Sequence, residues 1–222
     1  MDLNKSLEFF DPAKVNGRCH IIGCGSIGGN VAEVLVRYGI EDIVLYDFDI
    51  VERHNIANQV FTEEDVAKPK TEALAEFLMK INPALKHKLK IEGAYTNQIL
   101  TDYVFMCVDS VDVRNKIVKT NRFNPMIKAV FDFRTTLYEG QCYFADWSKK
   151  EDKDSLIESL NFTHEEALAN TPVSACGFEL SVSPVVKITA LMGIANFTNL
   201  INKKETKRLI IIEPYSYAFL AV

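Results

Sequence analysis

Hydrophobic positions along this chain change period several times, and each change marks an element. Residues 19–24, Cys-His-Ile-Ile-Gly-Cys, read as a short buried strand. Ile27, Val31, Val34, Leu35 and Tyr38 then recur at helical spacing, and residues 43–46, Ile-Val-Leu-Tyr, form a second apolar run. Leu74, Phe77, Leu78 and Ile81 make the stripe of another helix, which stops at Asn82-Pro83. Residues 87–91 alternate as a third strand, and residues 103–108 are continuously apolar as a fourth. Short strands alternating with helical patterns predict βα units and a mainly parallel sheet.

Past residue 126 the character changes. Residues 126–133 and 141–147 look like strands joined by a hairpin-like connection at Tyr138-Glu-Gly140. Residues 148–170 are charged and lack a long apolar run, which predicts a surface crossover with room for a short helix. A helix begins at Ser183-Pro184, with proline at its first position, and continues through Val185, Ile188, Leu191, Met192 and Ala195. Residues 209–212 read as a last strand, and residues 213–222 as an extended tail. The expectation is one α/β domain over residues 1–222, a mostly parallel sheet flanked by helices with an antiparallel extension in the C-terminal part.

Composition narrows the function classes. The chain has 222 residues, 48% hydrophobic and 25% charged, which suits a single globular core. A net charge of −5 argues against nucleic acid as the main partner. No uninterrupted apolar run reaches the roughly 18 residues that span a bilayer, and residues 1–17 lack the apolar stretch of a secretory signal. Cysteines 19, 24, 107, 142 and 176 are scattered and never form a Cys-x-x-Cys pair. That pattern fits neither a disulfide framework nor a structural zinc site, and predicts a reduced, cytoplasmic setting.

The chemistry gathers at the ends of the expected strands. Gly23-Cys-Gly25-Ser26-Ile27-Gly28 follows a strand and opens a helix, where glycines let the backbone approach phosphates at a helix amino terminus. Asp47 ends the second strand, where a carboxylate accepts hydrogen bonds from ribose hydroxyls. Together they fit any Rossmann-like nucleotide site, NAD included; the alternative is a purely structural turn. The polar run from Asp47 and Asp49 through Asn55 and Asn58 to Gln59 lies just past a strand's carboxyl end, where ligands of open α/β sheets bind. Lys70 opens a helix in Ala67-Lys68-Pro69-Lys70, beside a positive dipole end that disfavours it unless an anion binds there. A solvated first-turn lysine is the plainer alternative. Asp109 ends the fourth strand, suited to Mg²⁺ or to capping the next helix.

The order of these blocks resembles the ThiF/MoeB/HesA family, bacterial relatives of ubiquitin-activating enzymes. Its pattern is a Gly-rich loop, Asp-x-Asp-x-Val-Glu, Asn-Leu-x-Arg-Gln, Gly-x-Pro-Lys and Cys-Thr-Asp. The match is good over residues 18–121, the nucleotide-binding core, and looser beyond. The resemblance implies an ATP-dependent adenylyltransferase that activates the C-terminal carboxylate of a ubiquitin-like or sulfur-carrier protein ending in Gly-Gly. Asp47 would hold ribose, Lys70 the phosphates, Asp109 Mg²⁺, and Asn55 would neighbour the phosphates. Relatives are homodimers, and several use a cysteine at the position of Cys176 for a covalent step; a small buried residue is the alternative there. Cys142 reads as core, and no zinc is expected.

Two departures bear on activity. The family usually has arginine where this chain has Asn58, and residues 1–17 contain none of the arginine that relatives carry in that segment. Arg53 could substitute if it points inward. Alternatives are therefore a non-catalytic nucleotide-binding module, activation of another carboxylate such as one on tRNA, or an NAD-dependent oxidoreductase.

Overall fold

The computed structural model describes residues 1–163, 165–166, 173–174 and 180–222. Strands β1 (Cys19–Ile22), β2 (Ile43–Tyr46), β3 (Lys90–Glu92), β4 (Asp102–Met106), β5 (Ile127–Thr135), β6 (Gly140–Asp146), β7 (Leu209–Glu213) and β8 (Ala218–Ala221) form one sheet. Its order is β3-β2-β1-β4-β5-β6-β7-β8. The first five pair in parallel, and β6 to β8 run antiparallel. Chain order reverses at β1, which lies between β2 and β4, so a crevice opens at the carboxyl ends of β1 and β4.

Helices cover both faces, which is why β1, β2 and β4 read as continuous apolar runs. On one side α1 (Ser26–Arg37), α2 (Lys70–Ile81) and a C-terminal helix, Ser183–Ile201, pack on Ile21, Leu45, Phe105 and Phe131. On the other, α3 (Val111–Thr120) and α4 (Lys150–Glu158) cover Ile22, Val104, Met106 and Val130. The C-terminal helix, α5, is long and apolar enough to cross a bilayer, yet Val185, Val186, Ala190, Ile194 and Phe197 are buried in the core. The Phe197 ring meets Tyr103, Phe105 and Phe131 at centroid distances of 5.2, 5.5 and 5.8 Å.

One strand is displaced from the sequence expectation, and the crossover and the tail take definite form. The third strand is Lys90–Glu92, because Asn82 accepts a hydrogen bond from the Ala84 amide at 3.2 Å and turns Pro83–His87 into a 3-10 helix. The charged stretch after β6 contains α4, a two-turn helix that buries Asp152 and Leu156. The tail folds back as β8 and closes a hairpin with β7. Cys142 lies buried in β6, as expected of a core residue.

Candidate functional site

After β1 the chain turns at Gly23, whose φ of +97° is left-handed backbone that favours glycine. A Cβ there would lie 2.8 Å from the Cys107 carbonyl, and one on Gly28 would lie 1.8 Å from the Gly23 oxygen. The fold itself therefore demands both glycines. Gly25 is different. It precedes α1, and a Cβ built on it meets only the Gln59 amide nitrogen, at 3.8 Å. No described residue crowds position 25, and its open face borders the first turn of α1. Ser26 is half-buried, whereas Ile27 packs in the core at 6% exposure and offers the site only its backbone. Burial pushes the Cys24 thiol well above the ordinary range, so that residue acts through its amide.

That amide donates to Asp47 Oδ2 at 2.7 Å, and Asp49 N donates to Oδ1 at 2.9 Å. The carboxylate after β2 is thus held directly against the glycine loop. Beyond it, residues 49–51 pair with the entry to α2. Ile50 bridges Pro69, Val51 N donates to the Lys68 carbonyl at 2.8 Å, and Lys70 N to that of Asp49 at 2.9 Å. This clasp turns the Lys70 ammonium inward. Its side chain is 11% exposed and its Nζ sits 2.8 Å from Asp49 Oδ2. Lys70 is therefore not a solvated first-turn lysine. Lys68 does fit that description, bonding Glu76 at 2.7 Å and Asp65 at 3.3 Å on the surface. Asp49, Ile50, Glu52, His54, Asn55 and Lys70 line a hollow of about 170 Å³.

The remaining predicted residues divide. Asn55 is 7% exposed, and its Oδ1 accepts from Glu52 N at 2.9 Å, so half of its amide holds the 3-10 turn Arg53–Ala57 in place. Asn58 Nδ2 reaches the Ser181 carbonyl at 3.5 Å, just before α5. Arg53 does not substitute for an inward arginine, because its side chain is 80% exposed and lies 3.4 Å from Glu63. Asp109 is exposed after β4 and leaves helix capping to Ser110, whose hydroxyl accepts from Val113 N at 3.3 Å. Among the described residues no cluster of three metal-ligating side chains occurs. A single carboxylate suits Mg²⁺, which keeps water and phosphate as most of its ligands. Cys176 lies outside the described residues.

Sequence reasoning left two features unassigned. Gln59 Oε1 is buried without a hydrogen-bond partner among the described residues. Asp132 is fully buried in β5 between Arg114 and Arg134; a charged residue inside an apolar strand was its signal.

Comparison with known proteins places this geometry. The chain is 28% identical over 142 residues to the SAMP-activating enzyme E1 of Haloferax volcanii, covering 58% of this chain and 53% of that one. It is 33% identical over 114 residues to ubiquitin-like modifier-activating enzyme 5 of Dictyostelium discoideum, 44% of this chain and 30% of the relative. It is also 33% identical over 103 residues to the sulfur carrier protein ThiS adenylyltransferase of Escherichia coli, 44% and 41% of the two chains. The chain thus spans about half or less of the length of these relatives. The crystal structure of E. coli MccB with ATP superposes with a TM-score of 0.70 at 22% identity, over 95% of this chain and 65% of that one, which establishes the shared fold. The ThiF family model matches residues 13–219, and the chain belongs to the ThiF family.

Proposed function

We propose that this chain binds ATP-Mg²⁺ and transfers the adenylyl group to the C-terminal carboxylate of a ubiquitin-like or sulfur-carrier protein. The observation that carries the reading is Gly25: a glycine that no described residue crowds, beside Asp47 and a buried, inward Lys70. Relatives bear the names of enzymes activating such carriers, and MccB has been solved with ATP. In this reading the Gly25 and Ser26 amides face the phosphates, Asp47 the ribose and Lys70 the phosphate chain, with Asp109 toward the metal. Bound Mg²⁺ would offset phosphate charge. A carrier carboxylate oxygen bonds to the α-phosphorus, the bond to the β-phosphate oxygen breaks, and pyrophosphate leaves. No side-chain base is needed, because a carboxylate is already ionised at neutral pH. The carrier's Gly-Gly end, a homodimeric assembly, a cytoplasmic setting and a covalent step at Cys176 belong to the same proposal.

The test is titration calorimetry with ATP-Mg²⁺. Lys70→Ala should weaken binding by about 1.5 to 3 kcal/mol, as for a charge-assisted hydrogen bond, and Asp109→Ala should remove the metal dependence. Unchanged affinity in both variants refutes the site. A second reading, nucleotide binding without adenylation, draws on Asn58 and the outward Arg53, which leave the phosphates short of cationic donors. ATP binding without carrier-dependent pyrophosphate release favours it.

A further inference from the structure

A charged network is buried behind the carboxyl end of β4. Asp132 in β5 lies 3.3 Å from Arg114 Nη1 and 2.8 Å from Arg134 Nη2. The Arg114 contact is an ion pair without hydrogen-bond alignment, since Asp132 Oδ1 accepts no hydrogen bond from a described residue. Arg114 stands in the first turn of α3 with its side chain 8% exposed. Its Nε donates to the Val108 carbonyl at 2.9 Å, and its Nη2 to the same carbonyl and, at 2.7 Å, to that of Phe133. Its Nε and Nη2 are thus committed to backbone carbonyls of this chain, and its Nη1 faces Asp132.

Val108 is the residue immediately before Asp109. Because the peptide unit is planar, holding the Val108 carbonyl from behind fixes the plane from which Asp109 projects. Two donors from one rigid fork fix its tilt as well as its position, which a lysine cannot do. Asp132 in turn orients the fork. We propose that Arg114, held by Asp132, is the positioning residue that aims Asp109 at the metal; this rests on the ATP-Mg²⁺ reading. Arg134 supplies the internal control. It shares Asp132, but its other bonds go to Ser159, with Nη1 2.8 Å from that carbonyl, and its guanidinium stacks over Tyr143 at 4.0 Å. Among the described residues it makes no hydrogen bond to the Val108–Asp109 peptide.

Arg114→Gln, Arg114→Lys and Arg134→Gln are compared with wild type. Outer-shell partners of a metal site are worth about 10- to 100-fold in metal affinity. In Arg114→Gln the Mg²⁺ concentration that half-saturates ATP binding should rise by that factor, while ATP affinity in EDTA stays within about twofold. Arg114→Lys should recover only part of the loss. Arg134→Gln should lower thermal stability comparably and leave the Mg²⁺ dependence unchanged. Amide hydrogen exchange at residues 108–110 gives a readout independent of ATP and should quicken in Arg114→Gln but not in Arg134→Gln. Should Arg114→Gln fail to fold, Arg114→Lys carries both measurements. Equal exchange in wild type and the Arg114 variant, or the same Mg²⁺ shift from both arginines, overturns the inference. Failure of wild type to bind ATP overturns the nucleotide reading instead, and the exchange data still decide the positioning role.

Discussion

Replacing Gly25 by alanine separates what the loop does for the fold from what it does for a ligand. The added Cβ finds its nearest atom among the described residues at 3.8 Å, an ordinary contact. Alanine also removes unfolded-state freedom, worth about 0.4–1 kcal/mol. The melting temperature should therefore move by no more than about 4 °C, at 2–4 °C per kcal/mol for a chain this size. ATP binding should fare otherwise. The methyl would stand where phosphate approaches the backbone, forfeiting at least one charge-assisted hydrogen bond of about 1.5–3 kcal/mol, or about 10- to 150-fold in affinity. Gly28→Ala is the contrast: with its Cβ 1.8 Å from the Gly23 oxygen, the loop must rebuild and stability falls by about 1–3 kcal/mol or more. Calorimetry and thermal melts on both variants decide. Gly25→Ala binding ATP-Mg²⁺ as wild type does, with its fold intact, would refute the assignment of that face to phosphate.

Further predictions concern stability. Ala67 stands at φ +71°, where the family pattern has glycine. Left-handed backbone costs a non-glycine residue about 1–2 kcal/mol, against about 0.5–1 kcal/mol for glycine's greater unfolded freedom. Ala67→Gly should therefore raise the melting temperature by about 1–4 °C, and a fall in melting temperature would contradict this. His20 is buried in β1 with Nδ1 2.9 Å from the Tyr46 hydroxyl, and Thr101 N donates to its Nε2 at 3.2 Å. Desolvation, reinforced by nearby Arg18, lowers its pKa from 6.5 to about 4. The unfolded chain takes up this proton first on acidification, so the contribution is complete above pH 6.5, declines toward pH 4 and is gone below it. At 1.36 kcal/mol per unit it amounts to about 3 kcal/mol. Urea midpoints from pH 8 to 4 should show that extra acid sensitivity in wild type and not in His20→Gln; parallel profiles would count against it.

The fold was legible where burial stamped the sequence. β2 is apolar throughout, and β1 and β4 are apolar but for His20 and Asp102, because helices cover both faces, and the Phe197 helix carried its proline start openly. β3 was misplaced because all three of its residues are exposed at a sheet edge, so no core imposes an alternation on them. The hairpin strand β8, exposed along most of its length, left no pattern for the same reason, and α4 buries too few residues to print a stripe. At the site, the glycine loop stood out because backbone geometry restricts it, Asp47 because it ends a strand, and Lys70 through the order of the family's motifs. The inward turn of Lys70 was invisible, since it depends on the clasp between residues 49–51 and 67–70. The Arg114–Asp132–Arg134 network was equally hidden: pairing across α3 and β5 is a tertiary fact, and only Asp132 inside an apolar strand announced it. Arg53 was close in sequence and wrong in direction.

The central claim is that the crevice at the ends of β1, β2 and β4 takes ATP-Mg²⁺ and not a nicotinamide dinucleotide. Thermal unfolding of the wild-type chain with ATP-Mg²⁺, ATP in EDTA, or NAD tests it most directly. A ligand of the folded state at 100 times its dissociation constant adds about 2.7 kcal/mol, or roughly 5–11 °C at this size. The account predicts a rise of that order with ATP-Mg²⁺, a smaller one in EDTA and none with NAD. No rise with ATP-Mg²⁺, or an equal rise with NAD, would contradict it.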